Sequence, residues 1–131
     1  KSLAVALALG SCLLASAAMA AGTLALGLTD DFANDGVSVG VSWNFDTRAE
    51  ADSGAVEQCR AFADAGEAAR SQCRVAATID NQCVAVAVDP EPGTFGLGWA
   101  LGSTSQQAEA GALAKCRSAL LVIESRCDTT G

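Results

Sequence analysis

The chain has 131 residues and a formal net charge of −7, with six cysteines and neither histidine nor tyrosine. This acidic balance, with no Lys/Arg cluster, excludes charge-driven binding to nucleic acid or to an anionic membrane. It is compatible with a cationic partner. Without histidine, a Ser-His-Asp or Cys-His catalytic arrangement cannot form.

The first twenty residues have the layout of a secretory signal peptide. Lys1 precedes an apolar run over 3–14, and small residues follow up to Ala18-Met19-Ala20. We expect cleavage after Ala20, which would leave the single domain 21–131 secreted or periplasmic and without membrane contact.

Two alternatives for this segment stay open. The uncharged stretch is long enough to span a bilayer if it is not cleaved. Leu9-Gly10-Ser11-Cys12 also resembles a lipobox, in which Cys12 would carry the lipid. All three readings place the folded part outside the cytoplasm.

A β-hairpin and a helix are predicted next. Weak alternation over 23–28 and clear alternation over 37–45 predict paired strands around an Asp/Asn/Gly turn at 30–36. The turn has the acids of a calcium loop but lacks the ligand spacing of an EF-hand, so a hairpin turn is the better interpretation. Thr47 and Glu50 then form a capping box. The helix is expected to bury one face, made of Ala51, Ala55, Val56, Cys59 and Phe62.

The second half is expected to follow the same order. Runs at 73–79 and 83–88 predict a second hairpin, and Asp89-Pro90-Glu91-Pro92-Gly93 is a turn. A Gly-rich strand at 95–101 precedes a capping box at Ser103–Gln106. The following helix should bury Ala108, Ala112, Leu113, Cys116, and Ala119 or Leu120, and a final strand should begin near Cys127.

These elements indicate an internal duplication. A tryptophan, a helix and a Cys-Arg pair recur in the same order, with Trp43 and Cys59 matched by Trp99 and Cys116. We therefore predict an α+β domain of two ββα-like units, at about 23–89 and 94–131, with two helices packed on an antiparallel sheet.

The five cysteines after residue 20 predict disulfides. Zinc is disfavoured, because the chain has no histidine and no C-x-x-C pair, and no cofactor is expected. Like pairing in both units favours Cys59–Cys73 and Cys116–Cys127, which leaves Cys83 unpaired or bonded elsewhere.

The combined motifs resemble the bacterial secreted family called domain of unknown function 4189. The resemblance covers about 23–131 and rests on the stretches Val41-Ser42-Trp43, Ala55–Cys59, Cys73-Arg74-Val75, Asn81–Ala87, Phe95–Ala100 and Ala112–Cys116. Members carry a further cysteine after the last strand, which the repeat places at about position 137, as the expected partner of Cys83. The second unit is therefore expected to be truncated. The resemblance implies a compartment and a fold but no activity.

The function hypothesis from sequence is a non-catalytic exported module that binds a protein or an envelope component. One alternative is a small extracytoplasmic hydrolase that uses two carboxylates, since Asp and Glu are plentiful. The other is a thiol-redox accessory that acts through an unpaired Cys83.

Overall fold

The elements follow one another in an order that repeats: strand, strand, helix, strand. The computed structural model describes residues 21–89, 96–116 and 121–127. The strands are β1 (Ala21–Gly27), β2 (Ser38–Phe45), β3 (Cys73–Ile79), β4 (Cys83–Val88), β5 (Leu97–Gly102) and β6 (Leu121–Cys127). The helices are α1 (Phe32–Asp35), α2 (Arg48–Arg60), α3 (Glu67–Arg70) and α4 (Ser105–Cys116).

Each half of the chain forms its own three-stranded antiparallel sheet. The strand orders are β2-β1-β3 and β5-β4-β6, so the first strand of each unit is central. The predicted hairpin of the first two strands is confirmed. The predicted hairpin between 73–79 and 83–88 is wrong, because β3 pairs with β1 while β4 pairs with β5 and β6. Strand pairing therefore divides the chain at 80–82, and not between 89 and 94, where the sequence repeat placed the division.

The large apolar side chains lie between the two sheets. Successive residues of a strand point to opposite faces of the sheet. In each sheet the bulky apolar residues point to the face that meets the other sheet. Together they form a single buried cluster of Leu24, Leu26, Val37, Val39, Val41, Ile79, Val84, Val86 and Val88. The two sheets therefore pack face to face around a common core.

Small residues line the outer face of each sheet, and each face carries one helix. Ala25 packs against Ala55 and Cys59 of α2. A Cβ atom at Gly40 would overlap the carbonyl oxygen of Ala55, so only glycine lets α2 approach β2 this closely. On the other sheet, Ala85, Ala87 and Ala100 pack against Ala108 and Ala112 of α4. The domain is α+β and duplicated as predicted, but each helix covers its own sheet and the layers run helix, sheet, sheet, helix.

Both long helices begin at a threonine cap. The Thr47 hydroxyl accepts from the Glu50 amide at 3.1 Å and donates to the Glu50 carboxylate. In the second unit the cap is Thr104, whose hydroxyl accepts from the Gln107 amide at 3.2 Å. The capping box predicted at Ser103–Gln106 therefore lies one residue later. Thr47 and Thr104 then stand at the same sequence distance from Cys59 and Cys116.

The two units also share a β-bulge. The β1–β3 ladder skips one residue between Ala77 and Val75, and the β4–β6 ladder skips one between Glu124 and Val122. The extra residue of the bulge is Ala76 in the first unit and Ile123 in the second. The same registers make Trp99 the counterpart of Val41, two positions before Trp43. Both tryptophans still face the core, because a shift of two residues keeps the same face of a strand.

Candidate functional site

An open apolar cleft lies where the edge of the first sheet faces the edge of the second. It has a volume of about 430 Å³, within the range typical of small-ligand sites. Its apolar lining comes from the end of β1, from β3 and from β5, and consists of Leu26, Leu28, Val75, Ala76, Leu97 and Trp99.

The cleft gathers the exposed bulky hydrophobic side chains of the described residues. Leu28 is 37% exposed and Val75 is 43% exposed, and no other large apolar residue is so open among those whose side chains the structure describes. Both line this one cleft. Single exposed hydrophobic residues are common, but their convergence on one concavity is typical of a binding surface.

The bulge explains why this edge is open. By symmetry, the edge formed by β2 and β6 is the counterpart of the edge formed by β3 and β5. There the bulge residue Ile123 packs against the central core. At the cleft the bulge residue is Ala76, an exposed side chain that ends at its Cβ atom and leaves the corresponding space empty.

Polar and cationic groups stand at the rim of the cleft. Gln72 and Arg74 line it beside the apolar residues. The Lys115 Nζ atom lies 5.3 Å from the centroid of the Trp99 ring. Within the described part of the chain, no carboxylate forms an ion pair with Arg74 or Lys115.

A separate polar cluster joins β1 to the start of α2. The buried Thr23 hydroxyl donates to Asp52 at 2.7 Å and accepts from the Arg48 guanidinium at 2.7 Å. The same guanidinium donates to the Gly22 carbonyl oxygen and lies 3.6 and 3.8 Å from carboxylate oxygens of Asp52 and Asp80.

This cluster is organised as a clamp. The side chain of Thr23 is fully buried, and its hydroxyl already takes part in two hydrogen bonds. The two acids converge on an arginine and not on an open space. The equivalent position in β4 is Ala85, so the clamp belongs to the first unit alone.

The turn at 30–36 is held by its own side chains. The Asn34 side-chain amide donates to Asp31 at 2.7 Å, and the Thr29 hydroxyl donates to Asp35 at 2.7 Å. Gly36 completes the turn with a φ of 72°, a value that side-chain-bearing residues rarely adopt. These bonds support the hairpin-turn interpretation over the calcium loop.

The structure contains two disulfides, and one differs from the prediction. Cys59 at the end of α2 is bonded to Cys73 at the start of β3, as the repeat predicted. Cys127, however, is bonded to Cys83 and not to Cys116. The unpaired Cys83 and the Cys116–Cys127 pair are therefore both corrected, and the redox hypothesis loses its free thiol.

Strand direction explains the second pairing. Cys73 begins β3, whereas Cys127 ends β6. The start of β6, which is equivalent to the start of β3, lies about 20 Å from Cys127 along the strand. Because β4 and β6 are antiparallel, the first residue of β4 meets the last residue of β6, and Cys83 stands directly opposite Cys127. Cys116 ends α4, and its side chain lies outside the described part of the structure.

Two other kinds of site are absent from the described residues. The described residues contain no group of three or more His, Cys, Asp or Glu side chains that could hold a metal ion. Within the same residues, no helix has the length and hydropathy needed to cross a bilayer.

Comparison with known proteins places the chain in a family. The family described as domain of unknown function (DUF4189) matches residues 21–131. The chain belongs to this family. No curated protein and no solved structure matches it. Family membership therefore carries no assigned activity.

The cysteines could be recognised as a pattern in the sequence, whereas the residues of the cleft could not. Arg74 and Val75 appeared there only as part of a family motif, and Ala76 and Leu28 carried no signal of their own. A usable signal was the contrast between Ala76 and Ile123, but it emerges only when the repeat is aligned by strand register.

Proposed function

We propose that this chain is an exported, non-catalytic binding module that takes the apolar part of a small ligand into the cleft between its sheets. The observation that carries the proposal is the convergence of Leu28, Val75 and Trp99 on one open cavity. Burying such surface under a ligand is favourable by about 25 cal/mol per Å² of apolar area.

Export is supported by two observations. The segment 1–20 has the layout of a signal peptide. The domain also carries two disulfides, and such bonds persist mainly in oxidising compartments. An envelope location would expose the cleft to lipids and other amphiphiles, which narrows the broader partner class expected from sequence.

The test fills the cleft with isoleucine, the residue at the equivalent bulge position of the second unit. Nile red, an uncharged apolar dye, is titrated against the chain and its fluorescence is followed. We expect saturable binding that Ala76→Ile abolishes, because the isoleucine side chain would occupy the space that Ile123 fills on the opposite edge.

A matched control separates a filled cleft from a disturbed strand. Thr78→Ile introduces the same side chain at an exposed position of β3 that does not line the cleft. It should leave dye binding unchanged. Circular dichroism and a free-thiol count check that both variants fold. Absence of saturable binding by the unmodified chain, or equal loss in both variants, would overturn the proposal.

A further inference from the structure

We infer that the ligand of this cleft is an anionic amphiphile, with its apolar body against Trp99 and Val75 and its acid group at Arg74 and Lys115. This inference rests on the proposed function and specifies the class of ligand.

The cleft carries positive charge on a chain that is acidic as a whole. The chain has a net charge of −7, so its surface as a whole favours cations. Two cationic side chains nevertheless stand at this apolar cleft, with Arg74 in its wall and Lys115 over Trp99. Their fields act over about 10 Å at ordinary salt, so the local charges dominate at the cleft.

The basic side chains differ in whether they form an ion pair with a carboxylate. Arg48 and Arg126, elsewhere on the surface, lie against carboxylates. For Arg74 and Lys115, as for Arg60 and Arg70, the described residues supply no such carboxylate. A guanidinium can bind a carboxylate or phosphate through two parallel hydrogen bonds, which favours an acidic ligand group at Arg74.

An acidic side chain stands close to one end of the cleft. A neighbouring depression shares Leu28 and Gln72 with the cleft and adds Asp30. An acid group of the ligand would meet a like charge at Asp30. The acid group is therefore expected at Arg74 and Lys115 and not at this depression.

An extended peptide is the less favoured occupant. β3 is an edge strand with free backbone groups on one side, which is a common place for strand addition. The bulge at Ala76 interrupts its regular ladder, and bulges at sheet edges oppose such pairing. The bulge also lines the cleft, which favours a compact ligand over an added strand.

The experiment compares three probes that share one tail and differ in charge: decanoate, decanol and decyltrimethylammonium. Binding is measured by calorimetry and by fluorescence of Trp99 in a Trp43→Phe variant, where it is the remaining one of two tryptophans. We expect decanoate to bind about tenfold more tightly than decanol, since a hydrogen bond to a charged group adds roughly that factor. Decyltrimethylammonium should bind most weakly.

Substitution of a basic residue at the rim tests which side chain gives the cleft its preference for decanoate over decanol. Arg74→Gln should reduce decanoate affinity about tenfold and leave decanol affinity unchanged. The matched control is Arg60→Gln, an exposed arginine on α2 outside the cleft, which should change neither affinity. Higher salt should weaken decanoate binding and not decanol binding.

The outcomes separate this inference from the proposed function. Equal affinity for the three probes, or an Arg74→Gln variant that binds decanoate normally, would overturn the acidic ligand while the apolar cleft stands. Nile red binding without any decanoate binding would do the same. Failure of Nile red itself would overturn the proposed function.

Discussion

The two units of this domain share a backbone plan and differ at a few side chains. Both place their first strand at the centre of a sheet, carry a threonine-capped helix outside and bulge at the same point of the last strand. They differ in the position of the disulfide, in the Thr23 clamp, and in the bulge residue. The shared features concern the backbone, and the cleft follows from one of the differences. Function in a duplicated domain is therefore best sought where equivalent positions diverge.

The largest difference to test is that of the disulfides. Cys83–Cys127 closes a segment of 44 residues and Cys59–Cys73 one of 14. Loop-closure entropy predicts that the unfolding free energy falls by about 4 kcal/mol when both Cys83 and Cys127 are replaced by alanine. It predicts a fall of about 3 kcal/mol when both Cys59 and Cys73 are replaced. Urea denaturation measures both.

A Cys116→Ala background keeps thiol exchange from obscuring this comparison. Cys59 and Cys83 are both buried, so the cavities left by alanine are similar and nearly cancel between the variants. A Cys59/Cys73 double variant that is the less stable of the two would contradict the prediction. It would indicate that the helix-to-strand link matters more than loop length.

The strand β6 shows where prediction from sequence stopped. Alternation over 37–45 and the Thr47 cap were enough to predict β2 and α2. Leu121-Val122-Ile123 follows α4 with no glycine or proline between them, so the sequence analysis did not recognise this strand. That one omission moved Cys127 from the end of a strand to its start, and the wrong cysteine pairing followed.

The cleft was beyond prediction for a different reason. Each strand's alternation shows which residues share a face, but not which edge of one sheet meets which edge of the other. Val75 and Trp99 are far apart in sequence and come together only when the two sheets pack. The common core depends in the same way on long-range packing.

The next difference is the clamp. Thr23→Val keeps the shape of the side chain and removes a buried hydroxyl that bonds both Asp52 and Arg48. We expect a loss of about 1–2 kcal/mol of unfolding free energy, near the low end for buried groups, because both partners are partly exposed to water. The variant should be measured by urea denaturation.

Two comparisons calibrate this value. In the second unit, Glu109 at the position of Asp52 accepts one hydrogen bond, from the Ser125 hydroxyl of β6 at 2.6 Å, so Ser125→Ala should cost about 0.5–1 kcal/mol. Thr78→Val on the exposed side of β3 should change stability little. If Thr23→Val were as mild as Thr78→Val, the cluster would not be a clamp, and a role for Asp52 and Asp80 toward a ligand would deserve a direct search.

The smallest effect concerns a feature that the units share. Thr47→Ala and Thr104→Ala each remove one side-chain acceptor from the first turn of a helix, and each should lower the unfolding free energy by about 1 kcal/mol. Serine at either position should restore most of the loss, because its hydroxyl caps equally well. The helices lie on opposite outer faces, so the double variant should equal the sum of the single ones. A loss at Thr47 without one at Thr104 would mean that the bonds from Ser103 to the Gln107 side chain already hold the first turn of α4. The repeat would then be conserved in geometry but not in energy.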